Sequence, residues 1–337
     1  MAGVVGCRLH LMTRAKRIFV VLLAIGLGSC RPSKRVDIVP FLEPTRSATL
    51  EELVAQLNQW EEIRTLVLRV DLQFETVERA DQGEGRRYMT AQGRLLLERP
   101  RRIRLSIEAP ILSANIAEMA SNGERFQLLI YPPDYRALIE GRNDRSYRDE
   151  AARLDQDPEL EKAGPLVNIR PQHFTDAFLL ASVPIEERYT LTFLEEERLD
   201  EPDTRPGAKD GALVRKSYHV VTVVHRGESS PRARYWFDRV DDLALARQQV
   251  YGADGRLLTD IHYSDYLPPQ GDVGVRIASR VHIQRPYDDY GLVINVKPDG
   301  VTINRELPDT AFVVTVPDEW GDSVRRIDLD HRDEASP

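Results

Sequence analysis

The chain has 337 residues, 42% of them hydrophobic and 30% charged, with a formal charge of −8; this is the composition of a globular protein, long enough for one large domain or two smaller ones. The acidic balance argues against nucleic-acid binding, which needs a basic stripe to neutralise phosphates. Cysteines occur only at Cys7 and Cys30, so the fold must rest on its apolar core and not on covalent staples.

The first element is apolar. In RIFVVLLAIGLGSC the run from Ile18 to Ser29 is twelve residues, and at about 1.5 Å per residue it falls well short of the roughly 30 Å hydrocarbon core. Arg14, Lys16 and Arg17 precede it and small residues end it, which is the order of a cleaved secretory leader. Its ending, Leu27-Gly28-Ser29-Cys30, resembles the bacterial lipobox, in which a thiol is acylated and the chain is cut just before it. Residues 1–29 are then a signal peptide, with Leu27, Gly28 and Ser29 recognised by the peptidase and acylated Cys30 holding the chain to a membrane. Met12 is also a plausible start, because residues 1–11 add nothing to a leader. Loss of Arg8, Arg14, Lys16 and Arg17, with no acid among them, moves the formal charge from −8 to −12.

Residues 30–47 mix charge and proline without period and read as a tether. Thr49-Leu50-Glu51-Glu52 has the form of a capping box, and Leu50, Leu53, Val54 and Leu57 recur at helical spacing, so a helix is expected over 50–63. The period then drops to two. Leu68, Val70, Leu72 and Phe74 alternate with polar residues, as do Ile103, Leu105 and Ile107, and the pattern of 275–284 follows the same rule. Further strand-like runs fall near 87–98, 112–121, 124–132, 135–141, 187–197, 214–226, 232–240, 243–252, 256–267 and 289–304. Asn122-Gly123, Asp254-Gly255 and similar turn signals separate many of them, which favours an antiparallel meander. Two charged insertions, 142–165 and 200–213, interrupt the series. Pro171 opens a second helix near 171–182, with Phe174, Phe178 and Leu179 on its apolar face. Residues 318–337 read as a charged, frayed tail.

These elements predict a mainly β, α+β fold: an incomplete, strongly curved antiparallel β-barrel of about 11–13 strands, with helices plugging or lidding the concave face. A single domain over 48–317 is expected. An outer-membrane barrel is disfavoured, because aromatic content is 7% and such barrels carry aromatic girdles. About eight strands already enclose an interior just filled by side chains or holding one small ligand, so a dozen leave room for helices and an apolar guest.

The order of an amphipathic helix, a long strand, AQGRLLLERPRRIRLSIEAP, then YWFDRVDDLALARQQVYGADGRLLTDIHYSDY and INRELPDTAFVVTVP resembles the LolA/LolB-like superfamily of periplasmic lipoprotein carriers and receptors, across roughly 48–317. The resemblance implies a half-barrel whose apolar cavity accepts acyl chains, in transport or insertion of lipoproteins or lipid. The chain is longer than typical carriers, by the two insertions. Arg31, directly after the acylation site, implies the outer membrane under the enterobacterial sorting rule, with the domain facing the periplasm. The candidate cavity lining is Leu68, Val70, Leu72, Phe74, Ile103, Leu105, Ile107, Phe126, Leu128 and Ile130; these residues would be buried equally in a dry core.

No nucleophile elbow, phosphate-binding glycine loop, zinc-protease motif or cysteine pair is present, so no enzyme, metal or cofactor is expected. His219 and His225 lie about 20 Å apart on one expected strand, too far to share a metal. His173 reads as a boundary residue. Asp238, Asp241 and Asp242 lack the spacing of a calcium loop and read as a solvated turn. Arg99, Arg101, Arg102 and Arg104 are sharper: contact with anionic lipid is one reading, a solvated strand face the other. The expected partners are the membrane through Cys30, acyl chains of lipoproteins or phospholipid, and a periplasmic protein if the fold serves instead as an envelope sensor or interaction module.

Overall fold

The structure is a computed structural model and describes residues 39–76, 87–109, 114–145, 147, 154, 166, 169–187, 190–269, 274–288 and 290–331. The leader, Cys30 and most of the 142–165 insertion lie outside the described residues. The chain divides into Met1–Pro40 and Phe41–Pro337, and every helix and strand described belongs to the second unit.

The first half of the sheet is a meander of β1 (Thr65–Glu75), β2 (Ala91–Glu98), β3 (Arg102–Glu108), β4 (Asn115–Ser121), β5 (Arg125–Ile130) and β6 (Ala137–Arg142). The second half runs through β7 (Glu186–Glu187), β8 (Thr190–Pro202), β9 (Leu213–His225), β10 (Ala233–Asp238), β11 (Ala244–Tyr251), β12 (Leu257–Tyr266), β13 (Ala278–Arg285) and β14 (Tyr290–Ile303). The two meanders meet where β14 pairs antiparallel with β1, Leu72 opposite Ile294. One sheet of fifteen strands results, two to four more than the alternation suggests, and β7 and β15 (Arg325–Asp328) stand at its unpaired ends. The sheet is therefore curved and unclosed.

Alternation places one side chain in two on the inner face. In β3 the pattern is strict, with Ile103, Leu105 and Ile107 buried and the residues between them half-exposed. Two short helices cover this face. The first, α1 (Leu50–Asn58), carries the capping box: Thr49 Oγ1 accepts from Glu52 N and Glu52 Oε2 accepts from Thr49 N. It ends at 58, and residues 59–62 continue as a 3-10 turn that buries Trp60. The second, α2 (Pro171–Phe178), opens on the expected proline but stops four residues early. Leu179 and Leu180 leave the helix to enter the core, and Asn58 of α1 then clasps Val183 through both its N–H and its C=O. Side chains of α1 and α2 join the inner face in one continuous cluster.

Residues 318–331 are not a loose tail. Residues 305–331 cross the outer face of β3–β6, where Val314, Val324 and Trp320 pack on Ala120, Leu129 and Leu138. This segment ends in β15, which pairs parallel with β6. The 200–213 insertion is also more regular than expected. The β8–β9 hairpin extends through Pro202 paired with Leu213, so only the tip is loop.

Candidate functional site

All ten apolar strand residues singled out in the sequence converge. Leu68, Val70, Leu72 and Phe74 of β1, Ile103, Leu105 and Ile107 of β3, and Phe126, Leu128 and Ile130 of β5 are each at most 4% exposed and belong to the one inner cluster. Side chains of both helices belong to that cluster too, so here these residues are packed as core. A half-open cleft of about 520 Å³ lies elsewhere, beside α1, between Glu52, Gln56, Gln59 and Trp60 on one side and Leu245, Tyr266, Val275 and Arg276 on the other. None of the ten residues lines it.

The arginine cluster is spent largely on the fold. Arg99 donates from Nε to the Ile63 carbonyl at 2.9 Å, and from Nη2 to the Trp60 and Leu180 carbonyls at 2.8 and 3.0 Å. It thus ties the exit of α1 to the exit of α2. Arg102 reaches Asp309 at 2.8 Å and sits 4.3 Å over the Phe312 ring. Arg104 pairs with Glu118 and donates to the Val313 carbonyl, both at 2.7 Å. Arg102 and Arg104 are therefore docking points for the C-terminal segment on the outer face, and of the four only Arg101 is exposed. At the other three positions the guanidinium is engaged by carbonyls and carboxylates of the protein itself.

Sequence reasoning missed the polar side of α2. Arg170, His173 and Asp176 recur every three residues from the N-cap onward, a polar row on one face of a helix embedded between apolar runs; that row was the available signal. Arg170 and His173 are 7% and 2% exposed, so His173 is deeper than a boundary position. Burial, with Arg285 and Arg170 nearby, keeps the imidazole well below its usual pKa and therefore neutral. Burial pulls Arg170 down to about 10. It pushes the Asp176 carboxyl up to about 6, against the opposing fields of Arg285 and Arg101. Asp176 retains some accessible surface, so its desolvation comes from the surrounding helix and sheet and not from complete enclosure. Tyr263 reaches α2 from β12, donating to the Ala177 carbonyl at 3.0 Å and lying 2.9 Å from Gln248 Oε1.

The remaining candidates serve the scaffold. Asp238 is 4% exposed, not solvated. Its Oδ1 accepts from Val240 N, and its Oδ2 accepts from Lys216 Nζ at 2.9 Å. His219 and His225 contact different neighbours, Ala48 N and Thr190 Oγ1. Among the described residues no group of three or more His, Cys, Asp or Glu side chains is placed to hold a metal, and no helix is long and apolar enough to cross a membrane.

Fold and inner face together define an unclosed antiparallel half-barrel lidded by two short helices. Solved structures similar to this chain include a LolA superfamily protein from Nitrosomonas europaea, 14% identical, covering 80% of this chain and 99% of the other with a TM-score of 0.38. A DUF1329 family protein from Desulfovibrio piger is 12% identical, with 78% and 95% covered and a TM-score of 0.40. A putative outer membrane lipoprotein-sorting protein domain from Vibrio parahaemolyticus is 13% identical, with 78% and 93% covered and a TM-score of 0.37. At these scores the likenesses carry no functional argument. No family model and no curated protein matches the chain.

Proposed function

We propose that this is a non-catalytic envelope lipoprotein, anchored by acylated Cys30 to the outer membrane and facing the periplasm. Its inner face would bind acyl chains in the transport or insertion of lipoproteins or lipid. The observation that carries the reading is the inner face itself: apolar side chains from β1, β3 and β5 form one continuous surface in a sheet that does not close. Two helices of nine and eight residues cover that surface. Burial of hydrocarbon there would contribute about 0.8 kcal/mol per CH₂. A helix that seats an arginine, a histidine and a carboxyl against this face is a less favourable cover than an apolar one, because each buried polar group costs free energy unless fully compensated. An acyl chain is the natural competitor for its seat.

A second reading, an envelope sensor or interaction protein on the same scaffold, is favoured by the packed state of the ten inner residues. Native mass spectrometry of the intact, processed protein, with extraction and identification of bound lipid, separates the two. Co-purified phospholipid or acylated peptide supports the first reading. A folded protein that stays empty after incubation with acylated peptide refutes it and leaves the second.

A further inference from the structure

The half-open cleft beside α1 has a volume of about 520 Å³, within the roughly 300–1,000 Å³ of small-molecule sites. Ala55 of α1 and Trp60 of the 3-10 turn line one side. Leu245 of β11, Tyr266 at the end of β12, and Val275 and Arg276 ahead of β13 line the other. Trp60, Leu245 and Val275 belong to the inner apolar cluster, and Tyr266 packs against it. The cleft is therefore an opening from solvent onto the edge of that cluster.

Four charged side chains line it: Arg46, Glu52, Asp242 and Arg276. Three are engaged. Arg46 pairs with Asp242, and Glu52 Oε2 accepts from Thr49 N at 2.8 Å in the capping box. Arg276, half-buried, has no ion-pair or hydrogen-bond partner among the described residues; its guanidinium lies 5.0 Å over the Tyr266 ring. The Tyr266 hydroxyl is turned elsewhere, donating to the Leu245 carbonyl. The ring thus holds the guanidinium by its face and leaves the N–H donors of the fork unspent.

The rim nearby is preformed. Asp242 and Leu243 both adopt positive φ, 45° and 57°, and Gln56 of α1 donates to the Leu243 carbonyl at 2.9 Å. Backbone of this kind persists only where the surroundings over-determine it. Apolar surface and one uncompensated cation therefore share a built cleft, and a planar guanidinium can take two oxygens of a carboxylate or phosphate at once.

We infer that the cleft beside α1 seats the anionic head of a single-chain amphiphile, with Arg276 taking its carboxylate or phosphate oxygens and the first methylenes lying against Trp60, Leu245 and Val275. The inference rests on the acyl-binding reading above and adds to it where the head group sits and what charge it carries.

The test is displacement of an apolar fluorophore from the intact, processed protein by decanoate, decyl phosphate, decanol and decyltrimethylammonium. Both anions are expected to compete about tenfold better than decanol, the low end for a charge-assisted hydrogen bond because the cleft is half open, and the cation to compete worse than decanol. Arg276→Gln is expected to bring the anions to decanol's level at an unchanged melting temperature, and Arg276→Lys to restore part of the preference. Decanoate carrying a photoreactive diazirine near its head is expected to label wild-type peptides that contain Trp60 or Tyr266, a readout that needs no variant. Equal competition by decanoate and decanol, a preference that survives Arg276→Gln, or labelling confined to β1, β3 and β5 overturns the head-group site while acyl binding stands. Labelling abolished by acetate or inorganic phosphate at the same concentration as the probe assigns the cleft to a free anion and overturns the amphiphile. If no chain displaces the fluorophore from the wild-type protein, the acyl-binding reading itself falls.

Discussion

Replacing Arg99 with methionine keeps the aliphatic stem and removes the guanidinium from the carbonyls of Ile63, Trp60 and Leu180. Those carbonyls belong to residues 0–8% exposed, so water does not fully replace the lost donors. Each charge-assisted hydrogen bond contributes roughly 1.5 kcal/mol net, about 4.5 kcal/mol for three. Relief of the desolvation that lowers the Arg99 pKa returns part of this. Because the side chain is only partly buried, a net loss of about 2–3 kcal/mol is expected, a large share of the roughly 5–15 kcal/mol that holds a domain. Urea unfolding followed by Trp fluorescence should show a lower midpoint at unchanged slope. Arg99→Lys should recover less than half of the loss, since one ammonium cannot span three carbonyls as a planar fork does. Binding to anionic vesicles should not change in either variant. The clasp is refuted if Arg99→Met costs under 0.5 kcal/mol, or if lysine restores full stability while vesicle binding tracks the charge.

Other expectations concern α2, the C-terminal segment and the anchor. With the Asp176 carboxyl raised to about 6 from an ordinary 3.8, the folded state binds more protons than the unfolded one between those values. Stability from this group is therefore fully present below about pH 4 and declines as pH rises through 6. Asp176→Asn should flatten that decline and stabilise the protein at pH 7 by on the order of 1–3 kcal/mol, read as the wild-type minus variant difference across pH 4–7; a parallel pair of curves would contradict it. Deleting residues 318–337 should lower the melting temperature by several degrees and raise binding of a hydrophobic dye, because β15 and the Trp320 packing go with them; an unaltered melt would restore the loose tail. Cys30→Ser should abolish incorporation of labelled palmitate and release the protein from the membrane fraction, and persistent labelling would exclude acylation at that thiol.

Much of the architecture was legible because it follows from local rules. The capping box at Thr49 and Glu52, Pro171 at the start of α2, and the alternation of Leu68 to Phe74 and Ile103 to Ile107 each report a backbone preference or a face, and each depends only on neighbours within a few residues. Within each of β1, β3 and β5 the apolar residues share one face because period two requires it; their assignment to one lining comes from the strand count and the family resemblance. The site was less legible. Arg99, Arg102 and Arg104 look alike in sequence, one basic run around a turn, yet Arg99 points among three carbonyls while the other two hold a segment some 200 residues later. His173 and Asp176 sit in a pattern that a surface helix would also show.

By itself, then, the sequence determined that the chain builds a mainly β half-barrel from amphipathic strands with two short helices, and where those strands turn, because alternation, capping and turn chemistry are short-range. Only the tertiary structure decided that β14 closes on β1, that the charged segment after Trp320 is a strap ending in β15, and that α2 sets His173 against Tyr290 and its Ala177 carbonyl against Tyr263. Those outcomes depend on pairings between residues tens to hundreds of positions apart. Their free energy comes from burial shared by the whole sheet and is encoded in no single segment.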